Sequence, residues 1–318
     1  MIAAGGVRCN DGGMEPVPLP REFAHFDNPG SRPGVPDSGK CGVLELEFAA
    51  RDGRTRLTHR YQQPPLQIMR PLYFDPARPD LATVMIMQMG GGMVQGDRYR
   101  IDVTCHEGAA AHLTTQSANK LYRCEEGYVT QIVRITAGAE SVVEYLPDPT
   151  IPYAGARFFQ HTELTIDPSA TVIVGEVTVA GRTARGELHA YDAYVAQLHA
   201  RNLDGRLLVA DTFKSIPGLL APNSLAQFGS FAAFGVLMVF AGQASLPSLC
   251  DALRAALAND HGEAGCVLTG VSELPNDAGV CVRILGASGA MVERSRTTAW
   301  NAARQFLLGV PAFDVRKG

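Results

Sequence analysis

Three carboxylates stand where chemistry could use them. Asp97 closes the glycine turn GGGMVQGD, Glu144 sits in VVEYLP, and Glu176 sits in IVGEVTV. Both glutamates are flanked by apolar residues that belong in a core. A buried carboxylate is costly unless it is paired or holds a cation. Two readings follow: an internal ion-pair network that ties strands together, or a polar passage for a divalent cation. Lys120, Tyr122, Arg157 and Arg182, all in glycine- or alanine-rich contexts, are the partners a network would use.

Other chemistries fail on spacing. Gly91 and Gly96 have the interval of a P-loop, but Asp97 occupies the lysine position and would repel a phosphate. The following DRYRIDVT alternates as a strand, so no helix dipole awaits an anion. No G-x-S-x-G elbow or H-E-x-x-H pair occurs, and the chain does not read as an enzyme. A sugar-cleaving β-helix would need two exposed carboxylates facing a groove. Cys105, His106 and His112 are the nearest approach to a metal cluster. Neighbouring strand residues point to opposite faces, however, which separates Cys105 from His106.

The elements that must position these residues are mostly strands. Three segments share one plan of strand, tight turn and strand: YRIDVTCHEGAAAHLTTQ, VTQIVRITAGAESVVEYLP and TELTIDPSATVIVGEVTV. Their turn alanines Ala109, Ala139 and Ala170 recur about every 30 residues, a period that indicates stacked units. Stacking would line Glu144 and Glu176 along one side. The pairs Asp52-Gly53 and Asp204-Gly205 mark hairpins. Helical spacing appears in SLPSLCDALRAALAND, with Ser245 as cap, and in RTTAWNAARQFLLGVP, stopped by Gly309 and Pro311. The expected fold is mostly β: stacked, β-helix-like layers of strands with two short α-helices. Residues 1–40, rich in Pro and Gly, read as a disordered or loosely docked arm, and 41–318 as a single domain.

Composition bounds the partners. A net charge of −4 over 318 residues argues against nucleic acid. Seven scattered cysteines suggest a reduced, cytoplasmic protein, and the N-terminus has no signal-like apolar run. No charge occurs between Lys214 and Asp251, but the unbroken apolar run there, FAAFGVLMVFA, is shorter than the roughly 20 residues of a spanning helix and suits a doubly buried strand.

GGGMVQGDRYRIDV, LTTQSANKLYR, VVEYLPDPTI and GEVTVAGRTARGE, in that order, resemble the urease accessory protein UreD (UreH) family. Weaker similarity runs from about Gly42 to QFLLGVP. Tyr145, Asp148 and Pro149 depart from the family's W-L-P-Q-E-T-I pattern, and FDVRKG stands where the family has a basic, tryptophan-ended tail. The resemblance implies a non-enzymatic nickel chaperone with a stacked β fold. Its implied partners are UreF, the GTPase UreG and apo-urease, with room for a dimer inside the accessory complex. It implies nickel(II) held only transiently, no tightly bound cofactor, and a route for nickel through the interior, which agrees with a passage lined by Asp97, Glu144 and Glu176. The alternative is a pure scaffold that holds partners together while nickel travels elsewhere.

Overall fold

The computed structural model describes residues 17–24, 26, 39–224, 227–242, 244–258 and 265–315. Most of the proposed arm, residues 1–16 and 27–38, and the tail residues 316–318 lie outside the described residues. Strands come in chain order as β1 (Cys41–Arg51), β2 (Arg54–Gln63), β3 (Leu66–Gln67), β4 (Ala82–Gln88), β5 (Arg98–Cys105) and β6 (Ala110–Thr115). There follow β7 (Asn119–Leu121), β8 (Val129–Ala137), β9 (Val142–Tyr145), β10 (Thr150–Pro152), β11 (Arg157–Ile166) and β12 (Thr171–Val179). The last are β13 (Ala193–Asn202), β14 (Leu207–Ser215), β15 (Ala233–Phe240), β16 (Val267–Glu273) and β17 (Gly279–Gly286), with helices α1 (Leu246–Ala258) and α2 (Gly289–Leu308).

The strands form two face-to-face sheets. The first is ordered β14-β13-β11-β8-β5-β1-β2, and the second runs β16-β17-β15-β12-β9-β6-β4-β3, with β10 paired to β12 and β7 paired to β10. The three repeated segments are β5-β6, β8-β9 and β11-β12. Each contributes one parallel strand to each sheet, so Cys105, Ala137 and Ile166 stack in the first while Ala110, Val142 and Thr171 stack in the second. This is the coil-like stacking expected from the repeats.

The repeat differs from expectation in its middle turn. The buried position that ends each turn is occupied by Ala109, Ser141 and Ala170, whose amides donate to the carbonyls of His106, Gly138 and Asp167 at 3.0, 3.1 and 3.0 Å. Ala139 lies earlier in its turn, because the second turn carries its small buried residue as serine.

Both Asp-Gly turns join antiparallel hairpins, β1-β2 and β13-β14. Asp52 and Gly53 have φ of 52° and 71°, the conformation a tight hairpin turn demands. The apolar run forms β15, paired on both sides by β12 and β17 and largely buried. Among the described residues no helix is long and apolar enough to cross a membrane.

The helices cover the outer face of the second sheet, making a third layer. Helix α2 starts earlier than its apolar spacing indicates, with Ser288 as the cap and Gly289 as the first residue. The glycines there serve packing. A Cβ on Gly289 would lie 2.4 Å from Val179 Cγ1, and one on Gly286 would lie 2.6 Å from Val292 Cγ2. The helix therefore begins where its backbone can meet the sheet, a contact that helical periodicity does not record.

Candidate functional site

Side chains on a strand alternate between faces, and this parity decides where each glutamate goes. Glu144 in β9 pairs with His112 in β6 and with Ile173 in β12. Glu176 therefore sits three residues beyond the β12 partner of Glu144, on the opposite face. Glu144 points toward the helices and Glu176 into the space between the sheets. They do not line one side, and the expected row of carboxylates is not formed.

Glu144 is enclosed and fully paired. His112 Nδ1 lies 2.8 Å from its Oε2, Trp300 Nε1 donates to Oε1 at 3.1 Å, and Arg304 Nη1 reaches both oxygens at 3.3 and 3.2 Å. Arg304, itself without exposure, also pairs with buried Asp75. Asp75 in turn accepts the amides of Ala77 and Arg78 at 2.9 and 3.2 Å. Burial pushes the Glu144 carboxyl up, but His112, Arg304 and Trp300 outweigh it and hold it below its usual range. Such a network ties α2 to the sheet.

Asp97 is also occupied, by the turn that it closes. Its carboxylate accepts the amides of Lys40 and Val94 at 2.9 and 3.0 Å and the Tyr99 hydroxyl at 3.1 Å. The glycine turn is a packing device. A Cβ on Gly92 would fall 2.6 Å from the Lys120 carbonyl oxygen, and the Met93 amide donates to that same oxygen at 2.8 Å.

Glu176 differs from both. Its side chain is only partly buried, and its carboxylate accepts a hydrogen bond from the Gln160 amide of the opposite sheet. No guanidinium or ammonium forms an ion pair with it among the described residues. Burial pushes it up to about 7; Asp211 adds to that rise, while the Gln160 hydrogen bond and the Arg296 charge oppose it. Two cavities meet at Glu176 and Tyr145. One, of about 90 Å³, extends past Gln160, Gln131, Tyr99 and Gln88 toward Lys120 and Asp148. The other, of about 40 Å³, extends past Thr162 and Gln197 to Asp211. Asp211 pairs with Arg283 at 2.6 Å, linking β14 to β17 across the open side of the two sheets. Cavities of this size, with polar groups on their walls, have room for water.

The proposed partner residues separate into three places. Lys120 lines the larger cavity. Tyr122 packs against Tyr153 with centroids 5.1 Å apart, Arg182 lies 4.2 Å over the Tyr153 ring, and Arg182 pairs with Glu187. Arg157 pairs with Asp192 at 2.8 Å. The expected pairing of these four with Glu144 and Glu176 is not formed, since each cation is placed on another strand end or already has its own acid. Cys105 is buried in the core while His106 is half exposed and 3.1 Å from Glu47. Among the described residues no group of three or more His, Cys, Asp or Glu side chains is placed to hold a metal ion.

Sequence reasoning missed Asp75, His112 as a partner of Glu144, Gln160 and Arg304. Two had a signal. Trp300 and Arg304 are one helical turn apart, and an arginine on an apolar helix face demands a buried acid. Gln160 alternates with Phe158 and Thr162 on an inward-facing strand, where a polar residue needs a polar partner.

The similarity to known proteins covers nearly all of the described fold. A family model described as UreD urease accessory protein matches residues 40–317. Urease accessory protein UreD 2 of Streptomyces griseus subsp. griseus is 45% identical over 287 residues, 90% of this chain and 96% of the relative. Urease accessory protein UreD 2 of Brucella suis biovar 1 is 36% identical over 291 residues, 91% of this chain and 95% of the relative. Urease accessory protein UreD of Haloarcula marismortui is 36% identical over 283 residues, 89% of this chain and 92% of the relative.

Proposed function

The chain belongs to the UreD family of urease accessory proteins, and we propose that it links UreF and the GTPase UreG to apo-urease in the cytoplasm and passes nickel through the space between its sheets. Nickel is cargo here, held transiently, and the chain contributes binding and positioning without a reaction of its own. The observation that carries this reading is Glu176, a partly buried carboxylate where two cavities meet, with an amide against it and no ion-paired cation among the described residues. An ionised carboxylate in that setting gains from a divalent ion. Nickel accepts oxygen ligands, and one carboxylate among neutral oxygens binds weakly enough for release. Gln160, Thr162 and the Tyr145 hydroxyl supply neutral groups along the way.

Asp97 and Glu144 leave the route. The first is occupied by backbone amides, and the second by Arg304, Trp300 and His112. The locked state of Glu144 favours a second role, a rigid scaffold whose α2 face is held fixed for partners. Both roles operate in one protein. The test is co-purification of UreF, UreG and apo-urease with the Glu176→Gln chain, followed by nickel analysis of the urease. Assembly at the wild-type level with reduced nickel supports passage. Loss of assembly would assign Glu176 to the scaffold, and full nickel loading would end the passage reading.

A further inference from the structure

The outer face of the first sheet carries an apolar socket, covered by a segment that lies outside the family match. Residues 17–24 and Phe26 pack there, whereas the match begins at residue 40. Phe23 is fully buried, its ring centroid 5.3 Å from that of Tyr128 and 6.0 Å from that of Phe159. Ile132 and Val195 complete the walls, and Val17 is buried beside them. The turn presenting Phe23 is closed by its own bonds, with the Phe23 amide donating to the Pro20 carbonyl at 2.9 Å and that of Ala24 to the Arg21 carbonyl at 3.1 Å.

Charge marks both ends of this contact. Glu22 pairs with Lys214, whose hydrogen bond holds the Glu22 carboxyl below its usual range. The Arg157 guanidinium lies 4.4 Å from the centre of the Phe26 ring. The socket thus shows its preferred ligand: an aromatic anchor for the cavity, preceded by an acid for Lys214.

We propose that this socket is a docking site for an acidic–aromatic segment of a partner protein, held shut in cis by the chain's own Glu22 and Phe23. The socket residues lie within the family-model match, and the cover precedes it. Among the described residues the cover buries two apolar side chains, Val17 and Phe23, with Leu19 and Phe26 partly buried beside them, and its ion pair is partly exposed, where such pairs add little. What keeps the cover in place is its covalent connection, since a tethered segment meets its site at an effective concentration on the order of millimolar. A partner segment with the same two side chains and further contacts of its own would displace it.

The probe is a fluorescent peptide with the sequence of residues 16–26, followed by anisotropy against the full-length chain. Phe23→Ala empties the socket in cis, and the peptide should bind that variant at least tenfold more tightly than the wild type. Adding Lys214→Glu to Phe23→Ala should weaken binding severalfold, because the peptide's glutamate then meets a like charge. Glu22→Arg guards against a folding defect in Phe23→Ala: it breaks the surface ion pair without touching the core and should raise peptide affinity about threefold. Equal affinity for wild type and both opened variants, or no binding to any of them, would overturn the proposal and make the cover a fixed part of the fold.

Discussion

Glu144, fully buried, and Glu176, partly buried, point from opposite faces of one sheet and are accommodated by opposite means. Glu144 faces the helices and is surrounded by Arg304, Trp300 and the ring of His112. Glu176 faces the first sheet with an amide against it and a cavity on either side. The ionised form is stabilised at Glu144 and disfavoured at Glu176. A fully paired buried charge serves structure, whereas one left short of a counter-charge is a cost to folding that function can explain. The same residue type in the same sheet is therefore tied into an ion-pair network in one place and left without an ion-paired cation among the described residues in the other.

The largest effect expected from this contrast is at the ion-pair clamp. Arg304→Ala leaves Glu144 and Asp75 buried without their shared cation, which should cost about 3–5 kcal/mol. Chemical denaturation would measure it, and a loss under about 1 kcal/mol would mean that the network does not hold α2.

The next effect is a pH dependence that separates the two sites. The Glu176 carboxyl rises from its ordinary 4.5 to about 7 on folding, so the folded state holds its proton longer than the unfolded state does. Its contribution to stability is full below about 4.5 and is lost as the pH rises through about 7. Relative to Glu176→Gln, the wild type should lose on the order of 3 kcal/mol across that window, because each pH unit between the two values contributes about 1.4 kcal/mol. Parallel stability curves for the two proteins would break the contrast. Glu144 has the opposite sign: its contribution is present above the ordinary carboxylate range and is lost as the pH falls through its lowered folded value.

A smaller change sharpens the clamp side. Trp300→Phe keeps the ring against His112 but removes the indole donor to Glu144, a charge-assisted bond of about 1.5–2 kcal/mol. The same substitution should leave nickel delivery unaltered. A defect in delivery with normal stability would move the functional site to the helix face.

The stacked fold is legible in the sequence because its repeat is local: strand, turn and strand at a steady period, flanked by two Asp-Gly hairpins. The site is legible only in part. Glu144 and Glu176 look equivalent when VVEYLP is set beside IVGEVTV. The true register instead pairs Glu144 with Ile173, and an odd offset on a strand reverses the face. The clamp is hidden for a different reason. Asp75, His112, Glu144 and Arg304 come from four distant parts of the chain, and their meeting depends on how α2 crosses the sheet. Gly286 and Gly289 set that crossing by close approach, a property with no periodic signature.

Glu176 is central only if it acts as a nickel station in a chain that folds and assembles without its charge. The direct measurement is the nickel content of urease matured with Glu176→Gln, at equal amounts of assembled complex and with thermal stability recorded alongside. The expected result is a variant at least as stable as the wild type at about pH 8, above the folded-state value of the carboxyl. It should deliver less than about half the nickel, since the amide keeps the packing but not the charge that a cation needs. Wild-type nickel content under those conditions would contradict the station and leave the chain a scaffold.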